Sequence, residues 1–206
     1  MIERDPALAM EIVPAGMLDR AEAASRRAQW SEGYIDDPRE SRPVLGSLII
    51  VNNVRVAVLA YAAGILAGVG TAFVLFFNGV QLGAVLGLYA GQGVLELILA
   101  FVAPHGVLEL FAIVLAGAAG LLIGAGMLFP GPFSRREAIV AQARRGLRLV
   151  AGATLLLLVA GMIEGLISPI PWWPLEWKLF VSLITALVLL FYLTRGRGVP
   201  APPVLP

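Results

Sequence analysis

From Val54 to Thr194 this chain is almost continuously apolar, and that one feature restricts it more than any other. A helix needs about 20 residues to cross the hydrocarbon core of a bilayer. Five runs supply such segments: 54–77, 80–103, 107–129, 149–167 and 179–194. With 59% hydrophobic and 14% charged residues in 206, a water-soluble domain could not hide so much apolar surface. The reading is an all-α integral membrane protein, a bundle of five transmembrane helices. Asn78-Gly79 separates the first two spans and Pro104-His105-Gly106 the next two, while Pro130-Gly131-Pro132 ends the third.

Charge sets the expected orientation. Residues 130–148 carry Arg135, Arg136, Arg144, Arg145 and Arg148 against one glutamate, and Arg195 and Arg197 follow the last span. Both segments belong on the cytoplasmic side by the positive-inside rule, and two spans between them agree with that. Counting back three spans puts the polar segment 1–53 outside, where its nine acids against six arginines oppose no translocation. The start, MIERDPALAMEIVPAG, has no basic n-region followed by an apolar run. An N-terminus outside and a C-terminus inside therefore imply a further span upstream of Met1 that this sequence lacks.

Smaller features fill in the outline. Residues 15–35 read as a short helix on the outer surface. Ser134 with Glu137 three residues later is a capping-box pattern. It opens a basic stretch, 134–148, expected to lie on the anionic inner leaflet as an amphipathic helix through those five arginines. Trp172, Trp173 and Trp177 suit the headgroup belt at the connection between the last two spans. Residues 195–206 have no periodicity and read as a disordered cytoplasmic tail.

Small residues recur every four positions: Ala60, Gly64, Gly68, Ala72; then Gly79, Gly83, Gly87, Gly91; then Ala112, Ala116, Gly120, Gly124. In lipid, where helices associate by van der Waals contact, such rows bring backbones together. A compact bundle is expected, packed through Gly64, Gly68, Gly83, Gly87, Gly120 and Gly124.

Ionisable groups at mid-span cost roughly 2.5–3.5 kcal/mol each on insertion scales, so they need partners. On the expected topology Asn52, Asn53, Arg55, Gln92, Glu96, His105, Glu109 and Glu164 all fall in the outer half and converge on one another. Asn78 and Gln81 fall at a cytoplasmic turn. The structural reading has Arg55 neutralising a carboxylate while His105 and Glu109 clamp the turn at Pro104-Gly106. A transport reading makes the carboxylates a proton or cation relay. A metal or catalytic reading of His105 and Glu109, at i and i+4, finds no further histidine, no cysteine and no serine in a nucleophile motif. No catalytic residue, metal or cofactor is expected.

VNNVRVA (51–57), FFNG (76–79), APHGVLEL (103–110), LFPG (128–131) followed by SRRE, and MIEGLISP (162–169) resemble the stage II sporulation protein M family. Its matching positions here are Asn52, Asn53, Arg55, Asn78, Gly79, Pro104, His105, Gly106, Glu109, Glu164 and Gly165. The resemblance implies a polytopic protein of the bacterial or archaeal cytoplasmic membrane. Longer relatives carry a further hydrophobic helix upstream. The family's namesake is the membrane partner of peptidoglycan-remodelling enzymes, so the resemblance implies a non-enzymatic scaffold of a cell-envelope assembly. A small permease, or the membrane subunit of a transporter, is the alternative. Its expected partners are the bilayer, membrane or envelope proteins and a second copy of itself, with no nucleic acid.

Overall fold

A computed structural model describes residues 13, 16–28, 42–170 and 173–195. Among these the chain is helical throughout, with no strand. The helices are α1 (Met17–Ala28), α2 (Arg42–Ala62), α3 (Val69–Gly91), α4 (Leu95–Leu128), α5 (Arg135–Leu166) and α6 (Leu175–Arg195). A 3₁₀ turn, Ala63–Ile65, follows α2. Helices α3 to α6 are long and apolar enough to cross a membrane, and Ile49–Ile65 is a shorter apolar stretch. Beyond Arg195 the tail read at 195–206 lies outside the described residues, as do Trp172 and, of the short helix read at 15–35, residues 15 and 29–35; α1 falls within that stretch.

Two expected turns are not turns. Asn78-Gly79 lies inside α3, and Pro104-His105-Gly106 lies inside α4, which runs unbroken for 34 residues. The chain reverses instead at Leu66–Gly68 and at Gln92–Val94. Both places carry backbone at positive φ, with Ala67 at 54°, Gly68 at 81° and Gly93 at 72°. Only glycine enters that region without penalty. From 54 to 129 hydropathy alone gives no phase, so a helix-compatible glycine and a turn glycine look alike. Pro104 removes one backbone donor, a loss that a packed membrane helix tolerates.

Two more boundaries move for the same reason. Helix α2 begins at Arg42, so the domain limit drawn at residue 53 falls within a helix. The basic stretch 134–148 is no separate interfacial helix but the first half of α5, which continues to Leu166. Its start is fixed as read: Ser134 Oγ accepts from Glu137 N at 3.3 Å, and Glu137 Oε2 accepts from Ser134 N at 2.9 Å. Ala138 then packs on Gly126, and Gly146 on Ala119 and Tyr61, which holds the stretch against α4 and α2. Arg135, Arg136, Arg144, Arg145 and Arg148 are exposed along its free side.

Helices α4 and α5 are antiparallel and form the centre. At 1.5 Å per residue α4 is about 51 Å long, well beyond a hydrocarbon core of about 30 Å. Helix α2 lies in the groove between them, parallel to α4. The Tyr61 hydroxyl donates to the Ala143 carbonyl at 2.9 Å, tying α2 to α5. The close approach of α2, α3 and α4 depends on absent side chains. A Cβ on Gly64 would strike the Gly120 backbone, and one on Gly124 the backbone of Ala67–Gly68. Thr71, fully buried, donates its hydroxyl to the Ala60 carbonyl at 2.7 Å and closes the α2–α3 turn. The second small-residue row does not behave this way. Gly79 and Gly83 face open space and Gly87 is half-buried, so Gly83 packs against no other helix of its own chain; its face of α3 also carries exposed Phe76 and Leu82.

Two apolar clusters fill the interior. One, at mid-bundle, joins Ala57, Ala112, Ile113, Ala116, Ala153 and Leu157. The other joins Ala21 and Ala24 of α1 to Ala84, Leu88 and Tyr89 of α3 and Ile98 and Phe101 of α4. Helix α1 is thereby pinned across the α3–α4 turn, where Ser25 donates to the Gln92 carbonyl at 3.3 Å. Between the two clusters the packing opens.

Candidate functional site

That opening is a cavity of about 490 Å³ bordered by α1, α2, α3, α4 and the end of α5. His105 and Glu109 stand one turn apart on the same face of α4, as i and i+4 positions must. Glu164 reaches them from the last turn of α5, and Asn53 from α2. Asn53 Nδ2 donates to Glu109 Oε1 at 2.6 Å. His105 Nδ1 lies 2.9 Å from Ser168 Oγ. Its Nε2 lies 3.9 Å from Glu109 Oε2, too far for a direct hydrogen bond. Glu164 is 3% exposed, and its Oε2 is buried with no hydrogen-bond partner. Phe101 packs edge-on against the His105 ring, centroids 5.8 Å apart.

Lys178, near the start of α6, is buried and donates to the Ser168 carbonyl at 2.9 Å. The connection between α5 and α6 is thus held at Ser168 from both ends, by His105 and by Lys178. Lys178 reaches no carboxylate. Among the described residues neither Glu109 nor Glu164 has an arginine or lysine at ion-pair distance.

The structure brings together only part of the expected cluster. Asn53, His105, Glu109 and Glu164 meet, and Asn52 lines the cavity. Arg55 is exposed on α2 and neutralises neither carboxylate, because the α2 face that meets α4 is set by Asn53, Ala57 and Ala60. Glu96 is exposed in the first turn of α4. Gln92 caps α3 and offers its carbonyl to Ser25. His105 and Glu109 are not a turn clamp, since the segment around them is helix. Pro104 is buried, Gly106 borders the cavity, and Gly165 is half-buried beside Glu164. Asn78 and Gln81 are not at a cytoplasmic turn; i and i+3 on α3, they line the cavity opposite Glu109.

Ser168 and Lys178 were not singled out by sequence. A lone serine after MIEGLI and a lone lysine in LEWKLF carry no signal beyond being polar in apolar company. Ser168 is the serine beside the histidine that sequence did not find. It is 1% exposed and away from the cavity lining, where its contact with Nδ1 is placed to orient the ring.

This architecture is matched by known sequences. A protein-family model, "Stage II sporulation protein M", matches residues 10–169, a stretch that contains Asn53, His105, Glu109, Glu164 and Ser168. Two uncharacterized proteins of the archaeon Methanocaldococcus jannaschii are similar. MJ0706 is 29% identical over 120 residues, covering 57% of this chain and 52% of its own length. MJ0793 is 36% identical over 76 residues, 36% of this chain and 43% of its own length. The chain thus spans about half the length of the curated relatives it matches. No solved structure matches. With the family model covering most of the chain, and four apolar helices of membrane-crossing length, this protein belongs to the stage II sporulation protein M family of membrane proteins.

Proposed function

We propose that the protein is a non-enzymatic component of a cell-envelope assembly and anchors partner proteins in the cytoplasmic membrane. What carries this reading is the middle of the bundle. Below the cavity Ala57, Ala112, Ala116 and Ala153 are fully buried, and the 3₁₀ turn after α2 touches α4 backbone to backbone at Gly64 and Gly120. Such packing makes a stiff post with no room for a conduit. Meanwhile α6 is almost wholly unburied, with Phe180, Leu183, Leu187, Val188 and Phe191 exposed along it. That face is available to lipid, to envelope proteins or to a second copy. In this account α2 is the fifth span, the basic end of the bundle faces the cytoplasm through its arginines, and the cavity end faces outward.

The test places photo-crosslinkers at Leu183 and Leu187 in native membranes and identifies adducts by mass spectrometry. Reproducible adducts with envelope proteins are expected; adducts with lipid alone would overturn the anchor. A second reading, a permease, is favoured by one observation: buried Glu164 and half-buried Glu109 border an open cavity. It requires an ion or proton flux that depends on Glu164.

A further inference from the structure

We propose that His105, Glu109 and Glu164 form a binding site for one divalent first-row transition-metal ion, of which Zn²⁺ and Mn²⁺ are the candidates. Each residue offers one ligand atom, and the three atoms lie within 4.8 Å of one another. Around a cation with bonds of about 2.0–2.2 Å, neighbouring ligands sit roughly 3.4 Å apart. The 3.9 Å from His105 Nε2 to Glu109 Oε2 is near that edge, and Glu164 offers a third ligand atom within 4.8 Å of both.

An independent observation points to a ligand: Glu164 Oε2 is buried and has nothing to accept from. A carboxylate in that state is expensive, and among the described residues no arginine or lysine stands at ion-pair distance from it or from Glu109, although Arg20 and Arg27 of α1 line the same cavity. A divalent ion supplies two positive charges to two carboxylates.

The surroundings are those of a coordination site. Metal-bound histidines present one nitrogen to the ion and donate from the other. Ser168 Oγ is placed to accept from His105 Nδ1–H, which leaves the Nε2 lone pair facing Glu109. Asn53 holds Glu109 by Oε1 and leaves Oε2 free. Lys178 fixes the backbone of Ser168. The cavity, with the amides of Asn52, Asn78 and Gln81 on its wall, gives water a place as a further ligand. One histidine with two carboxylates suits borderline and hard cations. An ion there would tie α4 to α5, and through Asn53 to α2, at the end of the bundle where side-chain packing is loosest.

Purified protein, stripped with chelator and dialysed against Zn²⁺ or Mn²⁺, is assayed by elemental analysis and thermal unfolding. About one equivalent per chain is expected, with a raised Tm. Glu164→Gln and His105→Ala abolish both effects, while Glu96→Gln, at an exposed carboxylate, leaves both intact. Ser168→Ala weakens binding about 10- to 100-fold. X-ray absorption fine structure of Zn²⁺ bound to the wild-type protein shows imidazole through its outer-shell scattering, which decides the matter should the variants fail to fold. Absence of stoichiometric metal in the wild type, binding unchanged in Glu164→Gln, or a Zn²⁺ spectrum without imidazole scattering would each overturn the site.

Discussion

At the scale of single residues, the fold depends on a few places where a missing or exchanged atom has a calculable cost. Gly120 meets the Ala60 carbonyl and the Thr71 side chain where a Cβ would stand, so Gly120→Ala must force α2, α3 and α4 apart. Overpacking of this kind costs about 1–3 kcal/mol. Gly83→Ala, into open space inside a helix, should be neutral or stabilise by up to about 1 kcal/mol. A pair of thermal or denaturant unfolding curves in detergent checks the contrast, and equal effects would contradict the packing described. Asn53→Ala takes the donor from Glu109 Oε1 and should cost about 1–3 kcal/mol, the penalty of an orphaned buried acceptor. The sequence revealed these residues unevenly. Glycines at every fourth position declared that helices would pack closely, yet Gly79 and Gly83 share the spacing of Gly120 and Gly124 and face outward. Spacing gives a stripe its existence, while the partner comes from the tertiary arrangement. In the same way His105 and Glu109 announced themselves by their i, i+4 separation, whereas Glu164 and Ser168 join them only through the antiparallel course of α4 and α5.

At the scale of elements, helix identity was legible and helix phase was not. The existence of long apolar helices follows from run length and a lack of charge. Their ends do not, because Asn-Gly and Pro-His-Gly sit comfortably inside membrane helices whose neighbours accept the strain. The turns that formed need positive φ at Gly68 and Gly93, and nothing in the hydropathy distinguishes those glycines from the rest. The start of α5 was legible because its cap is local. Hydrogen bonds from the Ser134 side chain and then from its backbone hold Glu137 below the usual carboxylate range. A carboxylate depressed in the folded state contributes stability that is complete above its unfolded pKa. That stability is lost as pH falls through the lower, folded value. Protection factors for amide exchange in the first turn of α5 should therefore be highest near neutrality and fall below the ordinary carboxylate range. Ser134→Ala should lower them at neutral pH as well. A first turn whose exchange ignores both changes would show that the cap contributes nothing.

At the scale of the whole molecule, the bundle has two unlike ends. One carries exposed Arg135, Arg136, Arg144, Arg145 and Arg148; the other carries the cavity, with α1 laid across it. Because the chain has no cysteine, single cysteines report their side of the membrane without background. In the orientation proposed, a cysteine at exposed Glu96 reacts with an impermeant maleimide in intact cells, and one at exposed Phe133 reacts only after lysis. The reverse pattern would invert the protein. Between these ends lies the packed middle on which the proposed anchor reading rests. The most direct measurement is cation and proton flux in proteoliposomes holding wild-type protein or Glu164→Gln, each with its unfolding temperature recorded. An anchor gives flux no greater than empty liposomes in both, and a difference between them only in stability or metal content. Flux through the wild type, abolished by Glu164→Gln in a protein that remains folded, would contradict the account and make this bundle a transporter.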